Sequence, residues 1–217
     1  VLAAPAGYLA DRYSKRNVIV ACKVAEIAIM ALGVVAMLTW NLWLLMAVVA
    51  MMGIQSALFS PAKLGSIPEM LAAEKISAAN GLMGLTTVIA TVVGMGIGNP
   101  LADLIGADFA LGVAVSAGLL IGAAVVGWLF SLLIVRLDAA APQRTFPWDA
   151  VPQMIRDVRL LASNLPLFRV ALGLMFFWSV GALAQLNIDQ FAFESGAVRQ
   201  WDVVPLLLSL VAGLGLG

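Results

Sequence analysis

Gly7-Tyr8-Leu9-Ala10-Asp11-Arg12-Tyr13-Ser14-Lys15-Arg16 is the densest cluster of charge in the chain, and an apolar run covering residues 17–38 follows it directly. As a helix that run is about 33 Å long, a match for a hydrocarbon core of about 30 Å. It shows no alternation of apolar and polar positions, which argues against a barrel strand. Further apolar runs cover 42–59, 78–102, 109–135 and 167–193, with partial runs at both ends. The breaks between them differ in charge. The first holds Arg12, Lys15 and Arg16, with Lys23 just beyond; the third holds Lys63 and Lys75; the fifth holds Arg136, Arg144, Arg156 and Arg159, with Arg169 just inside the next run. Breaks two and four, around 39–41 and 103–108, have no basic residue, and the sixth has Arg199 alone. Eleven of the 12 basic residues therefore fall on one side. The positive-inside rule produces this alternation in a polytopic membrane protein and places the Asp11–Arg16 break in the cytoplasm.

Composition agrees. With 63% hydrophobic and 11% charged residues, and a mean hydropathy of +1.04, the chain is far too apolar for a soluble globule. Its net charge is zero and its cations are spread along membrane edges, which excludes a nucleic-acid-binding stripe. A single cysteine, Cys22, cannot make an internal disulfide, and with no histidine the usual zinc and proton-shuttle chemistry is missing. No nucleophile elbow, phosphate loop or metal-ligand spacing is present, so the expectation is a non-enzymatic protein without cofactor or metal. Trp40, Trp43, Trp128, Trp148 and Trp201 lie mostly near run ends, as interfacial anchors do.

The segment quoted first resembles the G-x-L-A-D-R-x-G-R/K-R/K signature between helices 2 and 3 of major facilitator superfamily transporters. Gly7, Leu9, Ala10, Asp11, Arg12, Lys15 and Arg16 match it, and Ser14 replaces the usual second glycine. The resemblance implies an all-α membrane fold of two six-helix halves, of which this chain is an internal stretch. It holds the end of helix 2, the next five helices and part of helix 8. It also implies a gating role for Gly7, Asp11, Arg12, Lys15 and Arg16. In the family the aspartate, here Asp11, pairs with a basic group and a positive helix end of the opposite half, a latch that breaks when the cytoplasmic side opens. Read from the residues alone, the same segment is a solvated loop whose cations set topology, with Gly7 allowing close helix approach.

The longest polar stretch, 136–166, falls where the family carries its linker between halves. We therefore divide the chain into 1–135 (first half), 136–166 (linker) and 167–217 (start of the second half). Residues 138–147 are proline-rich and irregular. Residues 152–164 place Met154, Ile155, Val158 and Leu161 on one helical face and Arg156, Asp157 and Arg159 on another, the pattern of a helix lying on the membrane surface.

A second string is Phe59-Ser60-Pro61-Ala62-Lys63-Leu64-Gly65-Ser66-Ile67-Pro68-Glu69, followed by Ala79-Asn80-Gly81. Taken alone, it predicts that Pro61 ends one helix, Pro68 starts a short surface helix and Ser77 caps the next. As a pattern, with Pro61, Lys63, Gly65, Pro68, Glu69 and Asn80 in a cytoplasmic loop, it is similar to bacterial lysophospholipid transporters. That resemblance implies inward movement of lysophosphatidylethanolamine across the bacterial inner membrane, with membrane lipids and an acyltransferase, separate or fused, as partners. Drug-efflux relatives often carry an arginine in helix 4 and a G-x-x-x-G-P-x-x-G-G run in helix 5. Here the first has only Gln55, and the second only Gly94-x-x-x-Gly98-Asn99-Pro100. A multidrug or small-solute exporter and the membrane part of a bifunctional acyltransferase are the alternatives.

Polar residues inside the runs are candidates for the substrate path. Glu26 either is neutralised by a Lys23 that snorkels to the cytoplasm or faces a cavity. Gln185, Asn187 and Asp189 either line the outer mouth of that path, where amides and an acid suit a phosphoethanolamine headgroup, or mark the end of the span. Phe176, Phe177 and Trp178 either cover an acyl chain or pack helices. Gly94/Gly98 and Gly118/Gly122 have the spacing of close helix contacts.

Overall fold

The computed structural model describes residues 2–147, 149–196, 200–206 and 208–209. Every regular element among them is helical: α1 Ala3–Arg12, α2 Lys15–Leu38, α3 Leu42–Met70, α4 Ala73–Ala107, α5 Phe109–Ser131, α6 Ala150–Ser163, α7 Leu165–Glu194, and a 3-10 turn Gln200–Val203. Much of the last partial run, 203–217, lies outside the described residues.

Five helices, α2 to α5 and the Leu165–Ala184 part of α7, are long and apolar enough to cross a membrane. At most 22% of the apolar window of any of them is buried within the protein. Apolar side chains facing outward in this proportion require lipid as the solvent, and a helix is the open form that satisfies its own backbone there. The chain is a multi-pass membrane protein.

The α2–α3 and α4–α5 breaks are short and capped. Between α2 and α3, the Thr39 hydroxyl donates to Val35 O (2.8 Å), and Asn41 Oδ1 accepts from Leu44 N (3.0 Å). Trp40, between them, takes φ +50°, a left-handed conformation that lets the chain reverse at this tight break. Between α4 and α5, Asp108 Oδ1 accepts from Leu111 N (3.0 Å). The two helices are so close that a Cβ on Gly112 would sit 2.6 Å from Ile105 N and Cα, so only glycine fits.

The expected end at Pro61, the surface helix from Pro68 and the cap at Ser77 are not found. Instead α3 continues through both prolines to Met70, and α4 starts at Ala73 with Ser77 inside it. Each proline forfeits one bond to the carbonyl four residues back, a loss tolerated in long membrane helices. The Ser66 hydroxyl donates to Lys63 O (2.8 Å), and Leu71 N to Ile67 O (3.1 Å) closes the end. The string 59–69 is therefore a helical extension and not a loop, and α3 is about 43 Å long, more than the hydrocarbon core requires.

Two compact units result. In the first (Val1–Asn80 with Val113–Val151) α1, α2 and α3 pack around Ala10, Val18, Ile19, Cys22 and Ala62, with Leu58, Phe59 and Ile134 against them. Small side chains at 10, 22 and 62 let the three backbones approach. In the second (Gly81–Gly112 with Pro152–Gly217) Ala192 and the fully buried Val203 pack with Met95, Ile188 and Leu206.

Candidate functional site

The charged end of the first unit is assembled from four places in the sequence. α1 ends at Arg12, the extended Tyr13 and Ser14 turn the chain, and α2 begins at Lys15. Lys15 is 5% exposed. Its stem crosses α3 at Gly65, where a Cβ would lie 2.9 Å from Lys15 Cε, and its ammonium forms an ion pair with Glu69. Gly65 and Glu69 are four residues apart on one face of α3, so the glycine clears the path and the glutamate receives the charge. This joins the two strings singled out in the sequence into one structure. Arg16 Nη2 donates to Leu132 O beyond the end of α5 (2.9 Å), and Arg12 Nη1 donates to Arg144 O (2.8 Å). The Asp11 carboxylate pairs with the Arg144 guanidinium, a partner within its own unit.

Other members of the two strings stand apart. A Cβ on Gly7 would meet nothing within 4 Å, so the close approach expected there is made by no described residue; the same holds for Gly94, Gly98, Gly118 and Gly122. Lys63 Nζ lies 6.0 Å from the Phe59 ring centroid, one turn back on α3. Pro68 is exposed, Pro61 is half-buried in α3, and Asn80 is on an exposed face of α4 with no described contact to the cluster.

Deeper in the same unit a polar network crosses from α2 to α3. Lys23 Nζ pairs with Glu26 Oε2 (2.8 Å), and Gln55 Nε2 donates to Cys22 O (3.1 Å) and Glu26 Oε2 (3.3 Å). The Lys23 ammonium is 5.3 Å from the Phe59 ring centroid and 3.4 Å from where a Gly127 Cβ would stand. The lysine is thus held between α2, α3 and α5, aimed at Glu26. Cation–π attraction and the ion pair together offset its desolvation. Gln55 also lines an apolar groove of about 570 Å³ that runs along α1, α2 and α3 from Tyr13 and Asn17 to Ile29. This volume is within the range of small-molecule pockets.

In the second unit, Asn187 Nδ2 donates to Leu183 O on its own helix (2.7 Å). The side chains of Gln185 and Asp189 lie outside the described residues. Phe176, Phe177 and Trp178 are exposed on α7, the last two in an edge-on contact at 5.9 Å. The helix expected over 152–164 forms as α6, and of its apolar face Met154, Ile155 and Val158 are exposed and Leu161 is half-buried. Among the described residues no group of acidic, cysteine or histidine side chains could hold a metal ion.

Sequence reasoning missed Arg144, Gly127 and the purpose of Gly65. The i,i+4 spacing of Gly65 and Glu69 was the available signal for the last, readable only once α3 is known to be continuous.

Charged residues clustered at one end of membrane-spanning helices, above a partly buried ion pair, fit part of a membrane transporter. The family model of the Major Facilitator Superfamily matches residues 1–217, and the chain belongs to that superfamily. Among curated relatives, the "Lysophospholipid transporter LplT" of Pectobacterium carotovorum is 27% identical over 224 aligned positions, covering all of this chain and 50% of that protein. The protein of the same name from Serratia proteamaculans is 30% identical over 220 positions, covering all of this chain and 51% of its own length. That of Klebsiella pneumoniae is 32% identical over 132 positions, covering 60% of this chain and 32% of its own length. The chain spans about half the length of the first two. No solved structure matches it.

Proposed function

We propose that this chain is part of a secondary transporter that moves lysophospholipids across a bacterial inner membrane by alternating access. The observation that carries the reading is the Lys15–Gly65–Glu69 arrangement. It gives a structural purpose to the string resembling lysophospholipid transporters, and the relatives of that name align along the whole chain. In this reading residues 1–135 belong to one half, 136–166 are the linker and 167–217 open the other half. The Asp11 end faces the cytoplasm, as the bias of its basic residues supports. Gly7, Asp11, Arg12, Lys15 and Arg16 govern opening on that side. In the first unit the groove beside Gln55 accepts an acyl chain, and Gln55 with the Glu26 it bonds meets a polar headgroup; Gln185, Asn187 and Asp189 of α7 are headgroup-binding candidates within their own unit.

The test is a flip assay with the full-length protein in vesicles, comparing fluorescent lysophosphatidylethanolamine with a cationic drug. Movement of the lysolipid faster than in protein-free vesicles, slowed by Asp11→Asn, supports the reading. Lysolipid movement equal to that in empty vesicles refutes the substrate, and movement of the drug alone favours the exporter.

A further inference from the structure

Beyond Ser131 the chain leaves α5, packs Ile134 into the core of the first unit and continues without regular secondary structure to residue 147. Within this stretch Ala141 N donates to Asp11 O (2.8 Å), one of the terminal carbonyls of α1 that lack a partner in their own helix. Arg144 N donates back to Ala141 O (3.0 Å), closing a turn with Pro142 at its second position, where its fixed φ favours such turns. That turn aims the Arg144 guanidinium at the Asp11 carboxylate. Arg12 Nη1 binds the Arg144 carbonyl (2.8 Å), and its guanidinium carbon lies 5.6 Å from the Tyr8 ring centroid. The Phe146 ring meets Tyr8 edge-on, with centroids 5.3 Å apart and planes at 74°. Backbone, charge and aromatic contacts thus fasten one irregular segment to residues 130 or more positions earlier.

We propose that residues 138–147 are a strap on the charged end of α1, with Arg144 as the positioning residue that holds Asp11, and that release of this strap is a step of the transport cycle. Both partners of the pair are about one-third exposed (35% and 37% of their side-chain surface). Water and salt therefore reach the pair, and it is weak enough to open repeatedly. Asp11 meets the strap twice, with its carbonyl on Ala141 N and its carboxylate on Arg144, so the state of Asp11 bears directly on the segment joining α5 to α6. The role in the cycle rests on the transport reading; the docking does not.

The test uses the full-length protein with Cys22 and any other native cysteine changed to serine, and a reporter, Ala141→Cys, at the half-buried point where the strap meets Asp11. Maleimide labelling in detergent reads docking, and the flip assay reads transport. Arg144→Gln and Asp11→Asn should each raise the labelling rate by roughly two- to fivefold. The double variant should go no further than the larger single effect, as expected for two ends of one contact. Raising the salt concentration should speed labelling of the parent and leave Arg144→Gln unchanged. In vesicles Arg144→Gln should slow lysolipid movement by a similar factor, with Arg144→Lys recovering most of it. Unchanged labelling in both single variants, or additive effects in the double, overturns the strap. Faster labelling with parental transport overturns its place in the cycle. A parent protein that moves no lysolipid refutes the transport reading, and labelling alone then decides the docking.

Discussion

Lys15 shows how one side chain constrains its neighbours. An ammonium that is nearly buried needs a carboxylate close by and room for its stem, and Glu69 and Gly65 supply these from the same face of α3. Gly65→Val should lower stability by about 1–3 kcal/mol through overpacking against that stem. Combined with Lys15→Ala, which empties the space, the loss should be less than additive when both variants are melted in detergent. Gln55 makes a similar argument deeper in the unit. Gln55→Leu deletes the bonds to Cys22 O and Glu26 and should destabilise by about 1 kcal/mol, the usual scale for a polar contact between membrane helices, in a denaturant titration. At this scale the sequence marked polar residues that the structure brings into contact, and the local Lys23–Glu26 pair, but not the distant pairings. Glu26, Gln55, Glu69 and Asp11 stand out because polar groups among apolar runs are conspicuous. Lys15 and Glu69 are 54 positions apart, and Asp11 and Arg144 are 133 apart, so no local pattern links them.

Among the elements, α3 and the α4–α5 hairpin show where local rules fail and where they hold. Proline read as a helix end assumes water ready to compete for the freed carbonyls; in lipid the continuing helix is the better solution, and α3 passes through Pro61 and Pro68. The cores of the spans were legible because apolar length is nearly the whole criterion for a membrane helix. The glycines were not, because spacing says nothing about what stands opposite. Gly112 faces backbone at 2.6 Å, whereas Gly98 and Gly118 face nothing within 4 Å. Gly112→Ala should therefore cost about 1–3 kcal/mol and reduce the yield of folded protein. Gly118→Ala should stay within about 0.5 kcal/mol of the parent in the same melting experiment.

For the whole molecule, the proposed sidedness rests on the cations alone, since their distribution along the chain is a property of sequence. Of the residues expected on a substrate path, Gln55 lines the groove, and the α7 side chains at 185 and 189 lie outside the described residues. The direction of transport, the latch at Asp11 and the strap all require the charged end of the first unit to face the cell interior. Two single-cysteine variants of the full-length protein, with Cys22 and any other native cysteine replaced by serine, test this directly: Gln143→Cys on the exposed strap and Ala107→Cys at the exposed end of α4. With an impermeant maleimide added to intact cells, Ala107→Cys should label and Gln143→Cys should label only after the membrane is opened. Labelling of Gln143→Cys in intact cells, with Ala107→Cys protected, would contradict the orientation and with it the proposed mechanism.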